Sequence, residues 1–150
     1  MKTVSFVILL ASLTGAFHSS AFADDDPAKN AGDGAAVSAK QTYETAGGKY
    51  EFTMDASETP DLAEWAQKEL APVVKEWYPK IVQLLPSDGF EAPARFSIAL
   101  KKDMRGVAAT GGTHISCGAE WFCHNLKGEA KGAVVHELVH VVQQYGHARR

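Results

Sequence analysis

Five consecutive residues, His136-Glu137-Leu138-Val139-His140, constrain this chain more than any others, because the pattern works chemically only on a helix. Residues four apart share one helix face, so both imidazoles can reach a single Zn²⁺, while Glu137 can polarise a water held in the metal's open position. Binding that water to zinc lowers its pKa to about 7 and makes hydroxide available at neutral pH. The surrounding sequence supplies such a helix. From Glu129 to Tyr145, the residues Val134, Leu138, Val141, Val142 and Tyr145 recur at helical spacing as one apolar stripe, and His136, His140, Glu137, Gln143 and Gln144 fall on other faces. At about 100° per residue the two histidines stand about 40° apart and nearly opposite the stripe. The competing reading is a solvated helix face that happens to carry two histidines.

The start of the chain predicts its compartment. Met1-Lys2, the apolar run Phe6 to Leu13, and Ala21-Phe22-Ala23 ahead of Asp24-Asp25-Asp26 have the layout of a secretory signal peptide cleaved after Ala23. The run is too short to span a membrane, and an uncleaved anchor is the alternative. The expected product is therefore secreted or periplasmic, with no membrane association in the mature form. Removing 23 of the 150 residues leaves 127, enough for one modest domain, and moves the formal charge from −3 to −4. Such a balance argues against a nucleic-acid or polybasic membrane binder.

Residues 24–48, rich in Ala, Gly, Asp and Lys, are expected to be a flexible leader to a domain spanning 49–150. Lys49 to Met54 alternates polar and apolar residues as a half-buried strand does. Thr59-Pro60 marks a helix start, with Thr59 as cap and Pro60 at the first helical position. Leu62, Trp65, Leu70, Val73, Trp77, Ile81 and Leu84 continue as a helical stripe, interrupted by Pro72 and Pro79, so either one kinked helix or two shorter ones follow. The two tryptophans are expected in the core. Arg95 to Leu100 reads as a strand, and Gly106 to Ala109 and Thr113 to Ser116 as two more around the Gly111-Gly112 turn. The expected class is α+β: a small mixed or mainly antiparallel sheet packed on a long helix and on the His136/His140 helix.

Cys117 and Cys123 are the only cysteines, and in an exported protein so local a pair most simply forms a disulfide. The sharper alternative recruits His114, Cys117, Cys123 and His124 as a structural zinc site.

The stretches Asp103-Met104-Arg105-Gly106-Val107-Ala108, His114-Ile115-Ser116 and Val134 to Gln143 resemble the basic secretory protein family of zinc metallopeptidases, known from plants with bacterial and fungal relatives. The similarity runs from about Lys49 to Tyr145 and includes the order of elements. It implies a zincin-like fold, peptide-bond hydrolysis with Zn²⁺ as cofactor, His136 and His140 as ligands and Glu137 as general base. In zincins an edge strand lines the cleft and pairs with extended substrate, which makes His114, Ile115 and Ser116 the expected substrate rim.

Catalytic zinc sites normally carry three protein ligands, and the family's downstream acidic segment is not present after His140. The chain is accordingly expected to be the N-terminal part of such a domain, with the C-terminal part missing and the apolar side of the His136/His140 helix less covered. His147 is the other candidate third ligand, reachable if the chain leaves the helix at Gly146. Two function classes follow: an exported zinc-dependent peptidase acting on peptide or protein, or a non-catalytic secreted relative that binds peptide or metal. No paired acid and base carboxylates stand out for glycoside hydrolysis.

Overall fold

The computed structural model describes residues 37–85 and 91–144. The expected signal peptide and its cleavage site, most of the expected leader, Tyr145 and His147 lie outside the described residues. Five strands, β1 (Lys40–Thr45), β2 (Tyr50–Asp55), β3 (Arg95–Lys101), β4 (Ala108–Gly111) and β5 (His114–Gly118), form one sheet in the order β1-β2-β3-β5-β4. The hairpins β1/β2 and β4/β5 are antiparallel, while β2/β3 and β3/β5 are parallel, so the sheet is mixed. Alternation gives the sheet its buried face: Tyr50, Phe52 and Met54, then Phe96, Ile98 and Leu100, then Ile115 and Cys117 all point into the core. The α+β class is as the sequence predicts. Strand β1 is a correction, because it lies within the residues expected to be a flexible leader.

Helices cover that face. A 3-10 turn (Pro60–Leu62), α1 (Ala63–Trp65), a π-helical segment (Ala66–Leu70) and α2 (Ala71–Leu84) follow one another with helical backbone at every junction, so the two prolines interrupt one long helix without ending it. Each proline has a local answer. Pro72 lacks an N–H and its ring crowds the carbonyl four residues back, and the wider π turn sits immediately before it. Pro79 cannot bond the Lys75 carbonyl, which instead accepts a 2.6 Å hydrogen bond from the Thr45 hydroxyl on β1. Thr59 stands at the helix start as expected, but its hydroxyl donates to the Leu100 carbonyl at 3.4 Å and makes no cap.

The buried side of the long helix is Leu62, Ala66, Leu70, Val74, Tyr78 and Ile81: Leu62, Leu70 and Ile81 are as expected, while Val74 and Tyr78 take the places expected for Val73 and Trp77. Trp77 is 38% exposed and Leu84 71% exposed, which corrects the expectation of Trp77 as core. Trp65 is partly buried and meets Phe122 edge to face at 6.1 Å. Tyr78 joins an aromatic column, stacked on Phe96 at 4.2 Å, with Phe96 on Phe52 at 5.4 Å and Phe52 on Tyr43 at 5.1 Å. Such pairs add about 0.5–1.5 kcal/mol each beyond their burial. The Tyr78 hydroxyl donates to the Pro93 carbonyl at 2.7 Å, and burial holds its pKa above the ordinary tyrosine value.

After β5 come α3 (Ala119–Asn125) and α4 (Ala130–Gln143), the latter carrying the His136/His140 motif. Among the described residues no helix is long and apolar enough to cross a membrane.

Candidate metal centre

Helix α4 packs by Ala130 and by Val134, Leu138, Val141 and Val142, the last four buried as the periodicity predicts. The apolar side expected to be less covered is thus covered. Open apolar surface lies one step round the helix, where Val135, Val139 and Gln143 meet Trp77, Ile81, Leu84 and Leu85 across a groove of about 330 Å³. The helix ends at Gln144 in the left-handed region (φ 41°), with the Gln144 amide bonded to the His140 carbonyl at 2.9 Å. The helix thus ends within the described residues, at Gln144.

His136 and His140 are both exposed on the outer face, and their Nε2 atoms stand 3.2 Å apart. The rings meet edge to face at 79°, with centroids 4.9 Å apart. Two nitrogens at 2.0–2.1 Å from one tetrahedral Zn²⁺ would be separated by roughly 3.3 Å, so the donor spacing fits a single ion. Among the described residues no group of three or more His, Cys, Asp or Glu stands together in a metal-holding arrangement.

Glu137 differs from its expected placement. It does not share the open face of the histidines; only 8% of it is exposed. Its Oε2 accepts a 2.6 Å hydrogen bond from the Thr110 hydroxyl on β4, and the same hydroxyl lies 3.3 Å from the Glu137 backbone carbonyl. The residue is turned toward the sheet at β4 and β5. Its charge, after burial, contributes to pushing the Cys117 thiol up to about 12.

Register explains this meeting and removes another expectation. Thr110 pairs with Ile115, so the two side chains share the face on which α4 packs. His114 and Ser116 alternate to the opposite face, where the Ser97 hydroxyl and His114 Nδ1 are hydrogen-bonded at 2.7 Å. Ile115 is buried in the core. Strand β5 is paired on both sides, by β3 and β4, and has no free edge for an extended substrate. The rim expected at His114, Ile115 and Ser116 is therefore corrected: β4 is the edge strand beside the site. Thr110 is the residue that sequence reasoning missed, although the Gly111-Gly112 turn, which sets it opposite Ile115, carried the signal.

The cysteine expectation is also corrected. Cys117 and Cys123 are free thiols, the first buried on β5 and the second exposed on α3. The chain turns from strand to helix at Gly118, which sends the two side chains into different surroundings. Gly118 itself is wrapped by the preceding loop: a Cβ there would lie 2.2 Å from the Gly106 carbonyl oxygen and 2.9 Å from that of Met104, and its amide bonds the Val107 carbonyl at 2.9 Å.

Comparison with family models, with curated proteins and with solved structures finds no match for the chain.

Proposed function

We propose that this chain is an exported zinc-dependent peptidase with a zincin-like fold, related to the basic secretory proteins, or the part of such an enzyme that carries its catalytic motif. The observation that carries the reading is the 3.2 Å convergence of His136 Nε2 and His140 Nε2, beside a carboxylate anchored through one oxygen. His136 and His140 would hold the ion, with a third ligand from outside the described residues, where His147 lies. Zinc bound there would polarise the scissile carbonyl and make a water acidic near neutral pH.

The chain's own groups supply the rest. Glu137 takes the proton of the attacking water and returns it to the leaving amide nitrogen as the peptide bond breaks. The free edge of β4 offers backbone N–H and C=O groups to an extended peptide, the arrangement by which a sheet edge orients a substrate. Strand β4 and Glu137 lie to one side of the histidine pair, with the Trp77/Val139 groove to the other, as positions at about 100° per residue round α4 require.

The test is elemental analysis of the purified chain beside a His136→Ala/His140→Ala variant. About one zinc per chain, lost in the variant, supports the reading. Peptide hydrolysis abolished by Glu137→Gln then supports the mechanism. Zinc absent from both proteins would favour the second reading, a non-catalytic secreted relative that binds peptide, which rests on there being two ligands among the described residues.

A further inference from the structure

We infer that Thr110 is the positioning residue of the proposed reaction: it holds Glu137 by one carboxylate oxygen so that the other is presented to water. The inference rests on the peptidase reading and goes beyond it. The hydroxyl of Thr110 lies 2.6 Å from Glu137 Oε2, a short, charge-assisted bond. Among the described residues Thr110 is the side chain that bonds the carboxylate, and it does so at Oε2, not at Oε1. Glu137 as a whole is 8% exposed, so its carboxylate is held against the sheet and not splayed into solvent. One oxygen is tied to the sheet, which fixes the direction of the other, as a base needs when it must meet a water in one orientation.

The elements that make the contact are rigid ones. Thr110 is fixed by its register with Ile115 on β5, and Glu137 by the buried residues Val134, Leu138 and Val141 on either side of it in α4. The carboxylate stands at the end of three χ angles, and the hydroxyl is the donor that restrains it. Because Thr110 is on the edge strand proposed to hold substrate, the same strand that would align the peptide also aligns the base.

The experiment compares Thr110→Val, which keeps shape and removes the hydroxyl, with Thr110→Ser, which restores a donor. In chain labelled with ¹³C at the glutamate carboxyl, the Glu137 resonance, assigned with Glu137→Gln, is expected to move in Thr110→Val and to stay in place in Thr110→Ser. In the zinc-loaded protein, Thr110→Val is expected to lose about 10- to 100-fold in kcat with KM and zinc content unchanged, and Thr110→Ser to recover most of it. A carboxyl resonance unmoved in Thr110→Val, or an unchanged kcat, overturns the inference. Should Thr110→Val not fold, Thr110→Ala against Thr110→Ser decides by the same readouts. Wild-type chain that binds zinc but cleaves no peptide overturns Glu137 as base, and Thr110's part in the reaction with it; the carboxyl resonance shows separately whether the tie itself exists.

Discussion

The Thr45 hydroxyl donates a 2.6 Å hydrogen bond to the Lys75 carbonyl, the oxygen that Pro79, having no N–H, leaves without its helical donor. Strand and helix thus complete each other's bonding. Thr45→Val is expected to cost about 1–2 kcal/mol in a urea unfolding curve. In a Pro79→Ala background, where the helix regains its own donor, that cost should shrink by at least about 0.5 kcal/mol. Equal costs in the two backgrounds would show that the carbonyl does not depend on Thr45.

Thiol reactivity should divide between the two cysteines. A disulfide-exchange reagent at neutral pH is expected to modify one thiol of the folded chain, and both in denaturant. The exposed Cys123 is the reactive one; burial and the neighbouring Glu137 charge hold the Cys117 thiol protonated. Cys123→Ala should remove the native signal and Cys117→Ala leave it. If neither thiol reacts, even in denaturant, until a reductant is added, the free-thiol assignment fails.

Gly118→Ala should be among the most damaging single substitutions. The added Cβ meets backbone oxygens of Gly106 and Met104, which cannot swing aside as a side chain can. We expect a loss at or above the roughly 1–3 kcal/mol of ordinary overpacking, read as a lowered midpoint in thermal unfolding. A variant as stable as the parent would mean that the 103–107 loop is free to move away.

Acid sensitivity should include a contribution from Asp55. Ser57, through its hydroxyl and backbone N–H, holds the Asp55 carboxyl below the usual range, and Lys40 at 3.3 Å adds to the effect. A carboxyl depressed in the folded state stabilises above its unfolded pKa of about 3.9, and that stability disappears as pH falls through the folded value. Below about pH 4 the unfolding free energy of the parent should therefore fall more steeply than that of Asp55→Asn. Parallel pH profiles would remove Asp55 from the account.

What the sequence revealed, and what it hid, follows from the physics of each element. Strong single periods were legible: the buried face of α4 at Val134, Leu138, Val141 and Val142, and strand β3 at Phe96, Ile98 and Leu100. Strand β1 was not, because in Lys40-Gln41-Thr42-Tyr43-Glu44-Thr45 only Tyr43 is apolar and no alternation shows. In the long helix Leu62, Leu70 and Ile81 were read correctly, but burial falls on Ala66, Val74 and Tyr78 where Trp65, Val73 and Trp77 were expected. The π segment Ala66–Leu70 widens one turn of that helix, and a fixed 3.6-residue period does not follow the buried face through it. At the site, the histidine pair was legible from spacing alone. The burial of Glu137 was not, since it depends on which strand of the Gly111-Gly112 hairpin joins β3, and local pattern does not decide that order.

The shortness of β4 has a consequence for anything that adds to the sheet. Four residues, Ala108–Gly111, present alternate backbone groups outward, so an arriving chain finds a foothold only about two bond pairs long. That is too little to recruit another copy edge to edge, and short margins are one way sheets resist runaway stacking into fibres. A visitor held so briefly by main chain alone must be retained by what lies beside it, and leaves once that grip is lost.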